Sequence, residues 1–173
     1  MRFVIGFILM LFAGYQVLAF GPMDARRMYF EGWDDKCGAT DLVDSLTHIE
    51  VEKDAVLMAY KGAAFTTLAN CKVSPFSKLS VFNKGKDLLE KAIETDADNV
   101  EARFLRYTVQ TNIPGILNYN NLDEDKKFML ERLTLPQRPV DAELKSIIAG
   151  YMLEHGDLSD SERSALKNIM AKK

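Results

Sequence analysis

Residues 53–70 constrain this fold more than any other part of the sequence. Ala55, Ala59, Gly62, Ala63, Ala64 and Ala69 are spread around a helix that also carries Val56, Leu57, Met58, Phe65 and Leu68. A helix apolar on nearly every side has to be enclosed by other elements, and its small residues let those neighbours come close. The sequence therefore predicts a helical assembly built around 53–70. No stretch alternates apolar and polar residues with the β-branched content of a strand, so almost no strand is expected.

Caps and breakers divide the rest, for about seven or eight helices in all. Pro22 suits a first helical turn, and Ala25, Met28, Tyr29, Gly32 and Trp33 share one face of a helix over 22–36. Thr40 caps a short helix, 40–48, bearing Leu42, Val43 and Leu46. Ser74-Pro75 opens a long helix to about Thr95, with Leu79, Phe82, Gly85, Leu88, Leu89, Ala92 and Ile93 inward. Asp98-Asn99-Val100-Glu101 has the spacing of a capping box, and Pro114-Gly115 ends the helix it starts. Asn121, with Glu124 three residues on, begins the next helix, which carries Leu130 and Leu133. Pro136 and Pro139 bound a linker before helix 140–155, which Gly156 closes. Ser159-Asp160-Ser161-Glu162 is a capping box ahead of the last helix. The fold class expected is all-α, an antiparallel array of helical hairpins.

The first nineteen residues bear on compartment. Arg2 precedes an uncharged apolar run, Phe3 to Ala13, and Val17 and Ala19 supply small side chains before Phe20, as in a secretory signal cleaved after residue 19. The rival reading is an uncleaved membrane anchor, which Gln16 and two glycines weaken. The expected division is a signal peptide over 1–19 and a single helical domain over 20–173, exported to the periplasm or beyond and off the membrane after cleavage. Cys37 and Cys71 would then meet an oxidising compartment. If 22–36, 40–48 and 53–70 are antiparallel neighbours, the first and third run the same way and bring both cysteines to one end of the bundle. A disulfide is the expectation, two buried free thiols the alternative. A net charge of −3 leaves no basic footprint for nucleic acid.

The segment Ala92-Ile93-Glu94-Thr95-Asp96-Ala97-Asp98-Asn99-Val100-Glu101-Ala102 resembles the junction between successive tetratricopeptide repeats, where one helix ends and a tight turn leads to the next. Ala97 stands where that family has proline, and no second copy follows at its period, so the resemblance covers about residues 55–112. The wider arrangement, including Ala63-Ala64-Phe65 and the Pro75-Phe76-Ser77-Lys78-Leu79 that opens the long helix, also resembles uncharacterised exported helical proteins of Gram-negative bacteria. The repeat resemblance implies a scaffold that binds a protein or peptide partner in the cell envelope.

Catalytic material is thin. His48-Ile49-Glu50-Val51-Glu52 lacks the spacing of a metal-binding helix and reads as a solvated turn, and His155 beside Glu154 suits a helix C-terminus. No serine lies in G-x-S-x-G, and no glycine-rich phosphate loop is present. No metal and no cofactor are expected, and the chain does not read as an enzyme. Two alternatives stay open, a small periplasmic enzyme with an unrecognised carboxylate site and a membrane-tethered structural protein. The partner-binding surface is placed on helix 99–111, where Arg103, Arg106 and Gln110 form a stripe opposite the apolar positions, flanked by Tyr60 and Tyr119.

Overall fold

The computed structural model describes residues 20–33, 35, 37–135 and 139–171. The expected signal segment, 1–19, and residues 136–138 of the expected linker lie outside the described residues. Eight helices account for most of the rest: α1 (Pro22–Glu31), α2 (Thr40–Thr47), α3 (Ala55–Leu68), α4 (Pro75–Thr95), α5 (Val100–Thr111), α6 (Leu122–Thr134), α7 (Ala142–His155) and α8 (Asp160–Met170). Short 3₁₀ turns occupy Val51–Lys53, Ala69–Cys71 and Gly115–Leu117, and there is no strand among the described residues.

Helix α3 is central, as its composition demands, and its closest neighbour is α4. The two cross where Gly62 faces Gly85. A Cβ on Gly62 would sit 2.8 Å from the Gly85 carbonyl oxygen, and one on Gly85 would sit 2.5 Å from that of Gly62 and 2.7 Å from the Thr66 nitrogen. Backbone therefore rests on backbone, which only residues without a side chain permit. Around that crossing Leu57, Met58, Tyr60, Ala63, Phe82, Leu89 and Ala92 form one core with Leu42, Leu46, Ala102 and Leu105.

Helix α5 belongs to two cores at once. Ala102, Leu105 and Val109 pack toward α3, whereas Phe104 and Tyr107 pack into a second core with Met129, Leu133, Leu144, Ile148, Met152 and Leu166. Phe30 at the end of α1 touches both cores and stacks on Phe104 at 6.2 Å between ring centroids.

Several sequence expectations are corrected in detail. Helix α1 stops at Glu31, because the chain turns so tightly that a Cβ on Gly32 would lie 2.6 Å from the Gly38 carbonyl oxygen. Trp33 is therefore outside the helix and partly exposed. Asp98 does not cap α5. The Asp96 carboxylate accepts from the Asp98 N–H and the Asn99 amide, and Asn99 caps by accepting from the Ala102 N–H at 3.0 Å. Glu101 is turned inward instead. Unread caps appear at Asp54, which accepts from the Val56 and Leu57 N–H groups, and at Asp141, which accepts from Leu144. The Ser159 box is present, Ser159 N–H donating to the Glu162 carboxylate at 2.7 Å.

Cys37 and Cys71 are joined, with Cα atoms 5.6 Å apart. Cys37 follows α1 and Cys71 ends the turn after α3, so the same-end placement expected from helix directions holds. A covalent loop across 34 positions stabilises by about 3–4 kcal/mol on the chain-entropy account.

The glycine crossing makes a direct prediction. Gly85→Ala should destabilise by about 1–3 kcal/mol or more, since neither backbone can retreat. Gly115→Ala, where an added Cβ would meet nothing within 4 Å, should be neutral or slightly stabilising. Urea unfolding of the two variants checks this, and equal effects would refute the crossing.

Candidate functional site

Helix α5 places its charged residues where the sequence stripe does not suggest. Arg106 is only 3% exposed. Its Nε and Nη2 donate to the two oxygens of Asp125 on α6, both at 2.7 Å, and Nη1 donates to Glu90 on α4 at 2.9 Å. Arg103 donates to Glu124 at 2.7 Å and to Asp125 at 3.1 Å, and lies over the Phe128 ring. Gln110 is buried and grips the start of α6, accepting from the Asn121 N–H at 2.6 Å and donating to the Asn121 side chain. Tyr119, also buried, donates to Glu90. The expectation of an open arginine stripe is thus corrected: α6 covers that face, and three acids there saturate both arginines. Burial works against the charge on Arg106, and the Asp125 hydrogen bonds outweigh it, so the guanidinium holds its proton more tightly than usual.

A second buried ion pair lies at the other end of α5. Arg26 of α1 donates to both oxygens of Glu101, at 2.8 and 3.0 Å, and reaches Asp141, which caps α7, and Glu143 within it. Tyr60, fully buried on α3, donates to Glu101 as well. Burial first, and the neighbouring Glu101 charge second, push the Tyr60 hydroxyl well above the usual tyrosine range. Tyr60 is therefore an internal strut. Sequence reading missed Arg26 altogether, because one charged residue beside an apolar helix face reads as solvated.

The open feature of the molecule is elsewhere. A groove of about 470 Å³ lies between the ends of α1, α3, α4 and α5, on the side of the disulfide. Its walls are Tyr29 and Trp33 from α1 and its following turn, Thr66, Thr67 and Ala69 from α3 and beyond, Leu79 and Phe82 from α4, Thr108 and Val109 from α5, and Ile113 and Leu117 after it. The threonines do not make it polar. Thr66 and Thr67 donate back to the Ala63 carbonyl, and Thr108 to that of Leu105. Among the described residues Lys78 is the one charged residue lining the groove, which the Asn70 and Asn112 side chains also border. Leu79, expected in the packed face of α4, is instead 46% exposed on the groove wall. A usable signal lay in its neighbourhood: from residue 55 to 86 the sequence has five lysines and no aspartate or glutamate, with Val73 and Phe76 among them.

The remaining chemical candidates are dispersed. His48, Glu50 and Glu52 are exposed around a turn, and His155 stacks against the Tyr151 ring at 4.4 Å. Among the described residues, no three His, Cys, Asp or Glu side chains are grouped to hold a metal ion, and no helix is long and apolar enough to cross a membrane. A shallower cleft of about 310 Å³ beside Asp96, Asp98 and Arg132 includes Glu101 and Asp141, both engaged by Arg26. Compared with protein-family models, with curated proteins and with solved structures, the chain finds no match.

Two predictions follow from the buried charges and hydroxyls. Arg106→Ala leaves Asp125 buried with its bidentate partner gone and should cost about 3–5 kcal/mol in chemical unfolding. Arg27→Ala, at an exposed pair, should change stability by less than about 0.5 kcal/mol. A stable Arg106→Ala protein would overturn the structural assignment. In alkali, burial pushes Tyr29 and Tyr107 up to about 12, and Tyr60, Tyr119 and Tyr151 also upward. Because these folded values exceed the unfolded value of about 10, the stability they contribute is intact below pH ~10 and is lost as pH rises toward about 12. Tyrosinate absorbance of the native protein should lag that of the denatured chain; coincident curves would contradict the burial.

Proposed function

We propose that this chain is an exported, non-catalytic helical binding module, and that the groove at its disulfide end holds the apolar part of the ligand. The observation that carries the reading is the lining itself: aromatic and aliphatic walls, threonine hydroxyls turned back onto their own helices, and a single lysine. Such a surface offers no general acid, base or nucleophile pair, and its volume lies within the range of small-ligand sites. The ligand is a slender amphipathic molecule, an acyl chain with an anionic head, with the chain against Phe82, Val109 and Leu117 and the head toward Lys78. Export is supported by the disulfide, which persists in oxidising compartments, together with the signal-like first nineteen residues. In this reading Arg103, Arg106, Gln110, Tyr60 and Tyr119 hold the scaffold in shape.

A protein or peptide partner, as the tetratricopeptide resemblance implies, is the second reading. The Asn70 side-chain amide favours it, since such an amide can pair with the backbone of an extended peptide, whereas the Asn112 amide already donates to the Thr108 carbonyl and the Tyr151 hydroxyl.

Titration with N-phenyl-1-naphthylamine, which brightens in apolar surroundings, tests the groove. Trp33, the only tryptophan, lines it and reports binding through its own emission. The probe should bind, oleate should displace it, and Leu79→Asp should weaken it about tenfold or more by placing a charge on the wall. Displacement by a short apolar peptide and not by oleate would favour the protein partner. Failure of the probe to bind, or equal binding to Leu79→Asp, would sink the groove reading.

A further inference from the structure

We propose that the end of the molecule formed by the α3–α4 connection and the 113–117 turn docks on an anionic lipid surface. Val73, Phe76 and Ile116 there are 97%, 87% and 91% exposed. They stand on both sides of the groove: Phe76 follows Pro75, Ile116 sits between Pro114 and Leu117, and Pro75, Pro114 and Leu117 all line it. Three large apolar side chains held almost wholly in water gain most where water is absent.

In sequence, the charged residues flanking Val73 and Phe76 are all lysines. A chain of net charge −3 contributes five lysines and no acid between Asp54 and Asp87. Lys61, Lys84 and Lys86 are engaged, the first with the Leu46 carbonyl and the others over the Phe65 and Tyr119 rings. Lys72 and Lys78, beside Val73 and Phe76, are exposed and form no ion pair among the described residues. The acid nearest in sequence to the disulfide flank is Asp35, whose carboxylate accepts from the Cys37 N–H. The amino end of α4 adds a partial positive charge of the same sign.

Apolar tips between lysines are the pattern of a surface that enters the headgroup region without spanning the bilayer. A folded protein partner would rather meet a continuous patch with aromatic anchors seated in pockets, whereas these side chains protrude singly. Docked this way, the groove mouth faces the lipid, so an acyl chain can pass into it; that last step rests on the groove reading, while the docking does not.

Co-sedimentation of the oxidised full chain with vesicles tests the docking. Vesicles of phosphatidylcholine and phosphatidylglycerol in equal parts should carry the protein down, and phosphatidylcholine alone should not. Val73→Ser with Phe76→Ser and Ile116→Ser should abolish sedimentation, and Lys72→Glu with Lys78→Glu should weaken it about tenfold. The apolar triple variant should keep the wild-type melting curve and naphthylamine binding, since none of its three positions lines the groove; the lysine variant, which alters Lys78 on the groove wall, should keep the melting curve. Wild-type protein left in solution, equal binding to both vesicle types, or triple-variant protein that still sediments would each overturn the proposal. Vesicle binding without naphthylamine binding would leave the docking standing and remove the groove reading alone.

Discussion

Helix α5 is enclosed by neighbours, and two of its charged side chains go into the interior with it. Glu101 is held by Arg26 and Tyr60, and Arg106 by Asp125 and Glu90. The first pair ties α5 to α1, α3 and α7, which are distant in sequence, and the second ties it to α4 and α6, its neighbours in the chain. Removing one member of such a pair leaves an uncompensated charge out of water, which makes these contacts more demanding of geometry than any single apolar contact nearby. Because α5 also contributes to both apolar cores, the relation between the two halves of the molecule passes through it.

That enclosure decides where a ligand-accessible surface can exist. With α6 over the arginine face and α7 reached by Arg26, most of α5 is unavailable; its last turn, with Thr108 and Val109, borders the groove, and its first turn borders the shallower cleft. The groove lies at that last turn, bordered by Pro75, Lys78, Leu79 and Phe82 of the first half of α4 and by Ala69 and Asn70 of the turn after α3. The Gly62–Gly85 crossing presses α3 and α4 together farther along. The disulfide then anchors the turn after α1 to the turn after α3, so two segments that border the groove are covalently joined at its flank.

Much of the architecture was legible in the sequence. The composition of 53–70 demanded a buried helix, Ser159–Glu162 announced the last helix, and the parallel course of α1 and α3 put the two cysteines within bonding reach. These signals are local or nearly so: caps, periodicity and helix direction depend on residues within a few turns. The failures have one cause. Arg103 and Arg106 share an exposed-looking stripe only while α6 is left out, and Leu79 looks packed only while α4 is given a partner along its whole length.

The sequence by itself determined an all-helical character, the approximate places where helices begin and end, and the same-end placement that made a Cys37–Cys71 bond the expectation, because hydrophobic period, capping chemistry and chain direction are written in short stretches. Only the tertiary structure decided which charged residues are interior and which apolar residues stay in water. Arg26 meets Glu101 across 75 positions, and Arg106 meets Asp125 across 19. Burial of that kind is a property of helices stacked against one another, so no stripe on a single helix can reveal it.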